Sequence, residues 1–219
     1  MVKDCQTLRI VQLNTDGIMV EFDDSEYPKV KALADEWQGR TGFELEEDPP
    51  IVMLAQKDVN NYIEVQAGGK TKLKGGYLVR GPSDAGAWKI NNNACVVARA
   101  IAEYFLHGTD PADTINAETD ILQFQQIAKA GAKYKEAYHL VDGRKVPVQK
   151  VNRVYATTDE RYGRLYKVKA DTDGEAKIDS LPEHCLIDNE GTADISMIDR
   201  SFYIDMARKR INDFKGIKP

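Results

Sequence analysis

Two periodicities divide the chain. Residues 8–13 (Leu-Arg-Ile-Val-Gln-Leu) and 18–22 (Ile-Met-Val-Glu-Phe) are short apolar blocks that predict strands. Asn14-Thr15-Asp16-Gly17 separates them, and Asp-Gly is a strong hairpin-turn signal. Over 26–39 the spacing of Tyr27, Val30, Leu33, Ala34 and Trp37 predicts a helix with Ser25 as its N-cap. Pro49-Pro50 closes an acidic stretch, after which 51–56, 61–66 and 71–79 read as strands punctuated by Gly68-Gly69 and Gly75-Gly76. From residue 93 the period becomes helical. Val96, Val97, Ile101, Phe105 and Leu106 predict a helix over 93–107 stopped by Gly108. A second helix is predicted over 116–130, with Asn116 as N-cap and Ile121, Phe124 and Ile127 on one face. Residues 136–169 return to strands, with a turn at Asp142-Gly143, and a last helix covers about 199–214. No internal repeat or low-complexity segment is present. The best domain split lies at 82–92, in a stretch entered through Gly81-Pro82 and closed by Asn91-Asn92-Asn93.

Composition narrows the class. The chain has 219 residues, 42% hydrophobic and 30% charged, which excludes a collagen-like or largely disordered protein and suffices for one or two domains with a core. No apolar run reaches the ~18 residues of a membrane span. The opening Met-Val-Lys-Asp-Cys is followed by no apolar secretion segment, so a cytoplasmic setting without a membrane partner is expected. Cys5, Cys95 and Cys185 form no disulfide framework and point to a reducing compartment.

Charge is distributed unevenly beneath a net value of −5. Residues 1–50 carry 12 acids and 5 bases, and residues 129–169 carry 11 bases and 4 acids. Residues 170–199 then carry 9 acids against Lys177 alone. Tyr134, Tyr138, Tyr155, Tyr162 and Tyr166 fall inside the basic block. Bases interleaved with aromatics suit a sugar-phosphate surface. The same composition also describes a solvated ribbon with tyrosines packed beneath it.

The 8–22 hairpin carries the candidate chemistry. A rigid strand–turn–strand fixes a carboxylate at a surface cleft, where it can hold a hard divalent cation against phosphates. Val11-Gln-Leu-Asn-Thr-Asp-Gly-Ile-Met-Val20 resembles the third palm motif of family B DNA polymerases, usually Tyr-x-Asp-Thr-Asp-Ser within a β-hairpin. Its Asn-Thr-Asp-Gly form is similar to bacteriophage members. By this resemblance Asp16 is a catalytic residue and a ligand of two Mg²⁺ (or Mn²⁺) ions, while Asn14 replaces the family's first Asp. Lys57-Asp-Val-Asn-Asn-Tyr62 lies where the family has a Lys-x-Tyr element supporting the primer terminus. Tyr62 matches the Tyr; Asn60 stands where the Lys would be, and the nearest lysine is Lys57. Gly69-Lys-Thr-Lys-Leu-Lys-Gly75 resembles the segment leading out of the palm. Ala100–Gly108, Thr114-Ile115 and Phe124 resemble thumb helices, and Ile198–Ile204 the last of them. The earlier palm motifs, with the second metal-binding Asp and the nucleotide-selecting Lys and Tyr, are not in this sequence; nor are fingers or exonuclease.

The resemblance implies an α+β chain. Residues 1–90 would be a partial palm, an antiparallel β-hairpin sheet with a helix, and 91–219 a thumb of mixed helix and β-ribbon. The implied function is that of the C-terminal palm and thumb part of a DNA-directed DNA polymerase, inactive alone. Its partners would be primer-template DNA, a deoxynucleoside triphosphate and the missing N-terminal polymerase part, in a bacterial host cytoplasm. Lys57, Tyr62, Lys70, Lys72 and Lys74 would touch DNA, and the 129–169 block would grip the duplex backbone. The alternative is a non-catalytic nucleic-acid-binding module built on that block.

Other motifs are weaker. Asp171-Thr172-Asp173-Gly174 repeats the turn tetrapeptide, but its flanks Lys167, Lys169, Glu175 and Lys177 suit a solvated ribbon. Gly69-Lys70-Thr71 is no P-loop, because position 64 holds Glu64. Lys70, Lys72 and Lys74 alternate and share one strand face, either a solvated edge or a track for phosphates. The three histidines lack zinc spacing, no nucleophile elbow is present, and Trp37 and Trp88 are expected in the core.

Overall fold

The computed structural model describes residues 5–78, 94–179 and 181–217, with side chains through Phe214. The fold is mixed α+β, with antiparallel sheets throughout. Strands β1 (Arg9–Leu13) and β2 (Ile18–Glu21) pair as a two-stranded hairpin in which Leu13 faces Ile18. The turn closes on itself. Asn14 N donates to Gly17 O at 3.1 Å, and Asp16 N donates to Asn14 Oδ1 at 3.0 Å. Asn14 thus supplies an Asx-type local acceptor, a common property of this residue in turns.

Helix α1 (Tyr27–Thr41) follows a 3₁₀ turn at Asp24–Glu26. Ser25 is not its cap. Ser25 is already wound into the 3₁₀ turn, so the chain enters α1 through Glu26, with Pro28 in the first turn and no side-chain cap bond. The Glu26 carboxylate has another role. It accepts from the amides of Gln6 and Thr7, each at 2.9 Å, and from Thr7 Oγ1 at 2.6 Å, pinning the start of the described chain. These donors hold its carboxyl down at about 2. α1 buries none of its residues. Trp37 is only half-buried and stacks on Phe43 at 6.1 Å instead of entering the core, while Trp88 and the expected 82–92 boundary fall outside the described residues.

Strands β3 (Ile51–Asp58), β4 (Asn61–Gln66) and β5 (Thr71–Lys74) form a meander. β5 stops before 79 because Gly75 sits at φ +102°, where an added Cβ would lie 2.1 Å from Asn60 O. After α2 (Cys95–His107), stopped by left-handed Gly108, the expected 116–130 helix does not form. In its place are α3 (Pro111–Ala117), a 3₁₀ turn at Ile121–Phe124, and strand β6 (Gln126–Lys129). Asp110 and Asp120 start the two turns separately, accepting from Ala112 N and Leu122 N. Asn116 lies in the last turn of α3 rather than at a helix start. The Ile121–Phe124 spacing serves a 3₁₀ turn as well as an α-helix, and long-range pairing decides the four residues that follow.

The later strands are β7 (Tyr134–Val141), β8 (Arg144–Val148), β9 (Val151–Ala156), β10 (Tyr162–Lys169), β11 (Glu175–Lys177) and β12 (Cys185–Ile187). They form a four-stranded sheet, β11-β10-β7-β8, and a three-stranded sheet, β12-β9-β6. Asp142 (φ 49°) and Gly143 (φ 73°) make the β7–β8 turn left-handed at both positions, as a two-residue hairpin requires. Helix α4 (Arg200–Asn212) is capped by Asp199, which accepts from Ser201 N at 3.0 Å. β13 (Lys215–Ile217) then returns to pair with β3.

The main core gathers Ala55 and Ile63 of β3 and β4 with Val97 and Ile101 of α2, Phe124, Tyr155, and Tyr203 of α4. Tyr203 stacks edge-on to Phe124 at 5.1 Å, and its hydroxyl accepts from Ala156 N at 3.0 Å. The meander and the helices therefore share one apolar core, closed by the end of the chain. The cysteines Cys5, Cys95 and Cys185 are free and buried. No helix among the described residues is long and apolar enough to cross a membrane.

Candidate functional site

Asp16 stands exposed at the tip of the β1–β2 hairpin. Asn14 Oδ1 accepts from the Asp16 amide and ties the turn locally. The hairpin is tied to the meander through Gln56 Nε2, which donates to the buried Gln12 Oε1 at 2.8 Å. Among the described residues no group of three or more His, Cys, Asp or Glu is arranged to hold a metal ion. Asp16 offers one hard oxygen donor; a Mg²⁺ site takes its protein ligands from one or two carboxylates and the rest from substrate and water. Asp16 fits part of such a site and needs a further acid to complete it.

Lys57 ends up at the far end of β3. Its ammonium pairs with Asp58 at 2.8 Å, and that carboxylate also accepts from Asn60 N at 2.9 Å and from Asn61 Nδ2. The three donors hold Asp58 down at about 2, and Asp58 in turn raises Lys57. Lys57 lies 5.1 Å from the centre of the Tyr77 ring, and the Arg210 guanidinium of α4 lies 4.7 Å from the same ring. Tyr77 thus joins cations from the meander and from the last helix.

Tyr62 is 5% exposed. It sits opposite Lys74 in the β4–β5 register, with Lys72 and Lys74 at 5.8 and 5.7 Å from its ring centre. The lysines cover the ring, so a ligand meets the ammonium groups before the phenol. Lys72 is 3.7 Å from the buried Glu64 carboxylate, and the Tyr62 hydroxyl together with Glu64 raises its pKa. Lys70 lies exposed in the β4–β5 turn, just before β5. The Gly68-Gly69 pair serves that turn, with Gly69 at φ 81°.

Five of the eleven bases in the block are held in ion pairs or buried hydrogen bonds. Lys135 pairs with Asp173, Lys145 with Glu175, Arg161 with Asp159 and Arg164 with Glu183. Arg153 is buried, its Nε donating to Gln125 Oε1 at 2.8 Å and its Nη1 to Asn189 O at 3.0 Å. The acidic run after residue 170 supplies several of these partners because β11 folds back onto β10. Asp171–Gly174, the second copy of the turn tetrapeptide, makes that fold-back. Tyr138 and Tyr166 stack in parallel at 5.2 Å, and Tyr155 is fully buried, its pKa pushed up by desolvation. Buried His139 stacks on Tyr162 and donates to Gly163 O at 3.1 Å; burial lowers its pKa and favours the neutral ring.

One feature escapes sequence reasoning. A cleft of about 570 Å³ opens between α4 and the strands β6 and β10, and Lys129, Lys167, Lys209 and Arg210 contribute to its walls. Lys129 and Lys167 already stood out as bases, but nothing in the spacing brings them to the C-terminal turn of α4, more than forty residues away. Compared with known proteins, the chain matches no family model, no curated sequence and no solved structure.

Proposed function

We propose that this chain is the C-terminal palm and thumb part of a bacteriophage-type family B DNA-directed DNA polymerase, contributing to template-directed nucleotidyl transfer only together with the preceding palm motifs. The observation that carries the reading is a side-chain bond between two separate sheets. The one bearing exposed Asp16 is tied by Gln12–Gln56 to the meander bearing Lys57, Tyr62, Lys72 and Lys74. The reading assigns a carboxylate for Mg²⁺ to the first and a row of cations for a primer-template backbone to the second. The metal ions would activate the primer 3′-hydroxyl and stabilise the leaving pyrophosphate of the deoxynucleoside triphosphate when bound. Asp16 would hold them with a carboxylate from the preceding polypeptide. The chain's own share is placement: the Asn14-closed turn fixes Asp16, and Glu64 and Tyr62 fix Lys72.

The test is primer extension by the purified chain, with and without the polypeptide carrying the missing palm motifs. Incorporation is expected only in the mixture and is expected to disappear with Asp16→Ala. Activity of the chain alone, or Asp16→Ala activity equal to wild type, would overturn the reading. The alternative, a non-catalytic nucleic-acid-binding module on the 129–169 block, draws on Lys129, Lys150 and Lys169, which form no ion pair among the described residues. It predicts DNA binding indifferent to Asp16→Ala and to divalent metal in that mixture.

A further inference from the structure

The cleft between α4 and β6–β10, which draws Lys129 and Lys167 from the basic block, combines two properties. The first is charge. Lys129, Lys167, Lys209 and Arg210 stand against only Asp179 and Asp213 in the lining, so the space is net cationic. Lys129 and Lys209 are exposed and enter no ion pair among the described residues. The second is an apolar share of the wall from Ile127, Ile178, Leu181 and Met206, together with the Tyr77 ring. Arg210 lies over that ring at 4.7 Å, which orders a planar guanidinium on an aromatic support.

These properties select a ligand. Ammonium groups at a cleft mouth answer phosphate. Apolar walls and a supported guanidinium plane answer a nucleobase, which stacks on aromatic and Arg faces. A space of this volume belongs to the ~300–1,000 Å³ class that takes small ligands, and a duplex is too broad to enter it. An acidic peptide would use the cations but leave the stacking surface and the apolar wall idle.

We infer that this cleft binds a nucleoside phosphate, with the base against Arg210 and Met206 and the phosphate held by Lys129 and Lys209. The moiety can arrive as a free mononucleotide or as the end of a single strand; the chemistry is shared. The site lies on α4 and the strands, apart from Asp16, and needs neither metal nor a second polypeptide, so its failure and that of the polymerase reading are distinguishable.

The test is fluorescence anisotropy of the full chain with labelled hexathymidylate in EDTA, competed separately with thymidine 5′-monophosphate, inorganic phosphate and a blunt hairpin duplex. Competition by the mononucleotide assigns the free-nucleotide source. Binding of the hexamer without such competition assigns the strand end. Either result is expected to weaken about tenfold or more in Lys129→Glu/Lys209→Glu, because charge-assisted bonds to phosphate are lost. Met206→Trp fills the cleft at unchanged charge and is expected to weaken binding as strongly. Arg40→Glu, on α1 and outside both the basic block and the cleft, should change it less than about twofold. Circular dichroism and a thermal melt establish that each variant is folded. No binding of either probe, equal competition by inorganic phosphate or duplex, or indifference to Met206→Trp in a folded variant would overturn the inference.

Discussion

The first forty described residues and the α2–α4 region solve the same problem in opposite ways. In α2, Cys95, Val96, Val97, Ala98, Ala100 and Ile101 are all buried, and α4 and the β9 strand close over them. In α1, with its row of apolar positions, nothing is buried. The neighbouring hairpin leaves Leu13 at 59%, Ile18 at 53% and Ile10 at 44% exposure. A lone two-stranded hairpin is marginal in water, and an apolar sheet face of this kind ordinarily has a cover. The contrast teaches that the hairpin and α1 carry the pattern of an interior layer, and that among the described residues no layer buries it. On the proposed function that cover is the preceding part of the palm.

The sharpest way to break this comparison is to truncate one apolar residue from each side. Phe124→Ala, at a fully buried position against Tyr203, is expected to cost about 3–5 kcal/mol in urea unfolding. Leu13→Ala, on the uncovered hairpin, should change stability by less than about 0.5 kcal/mol in the isolated chain. Equal losses would show the hairpin face to be packed in solution. Next in size, Gly75→Ala is expected to destabilise by about 1–3 kcal/mol, since its positive φ and the 2.1 Å approach to Asn60 O both resist a side chain. A neutral result would show that the β4–β5 exit relaxes freely.

Acid titration probes the join between the N-terminal segment and α1. Glu26 titrates near 2 when folded, below its ordinary 4.5, so the unfolded chain binds the proton more readily. Its contribution is fully present above pH 4.5 and is lost as the pH falls toward 2. Glu26→Gln is expected to flatten that part of the stability–pH curve, and an unchanged slope would detach Glu26 from the fold. A small effect is expected from Lys145→Ala, which removes an exposed pair with Glu175: the urea midpoint should fall slightly, and by less at high salt.

How far the sequence reveals this fold depends on how local each determinant is. The β1–β2 and β7–β8 turns were legible because Asp-Gly dictates its own backbone, and Gly108 marks the end of α2 for the same reason. Strand β6 was not legible. Ile121, Phe124 and Ile127 satisfy a helical period, and only pairing with β9 makes residues 126–129 extended. Ser25 looked like a cap because a 3₁₀ turn before a helix leaves no simple residue signature. The basic block was legible as composition but not as electrostatics. Its partners come from the acidic run that β11 carries back, and Arg153 proves to be a buried hydrogen-bonding residue. Asp16 and the lysines of β5 became candidates by motif. The cleft was not, because it is assembled from β6, β10 and α4, whose meeting is a tertiary event.

The exposed hairpin face makes the proposed function testable in a single assay: primer extension by this chain mixed with the polypeptide bearing the missing palm motifs, in Mg²⁺. The expected result is no incorporation by either part alone, incorporation by the mixture, and its loss when Asp16→Ala replaces the wild-type chain. Incorporation by the isolated chain, or by the Asp16→Ala mixture at the wild-type rate, would contradict it.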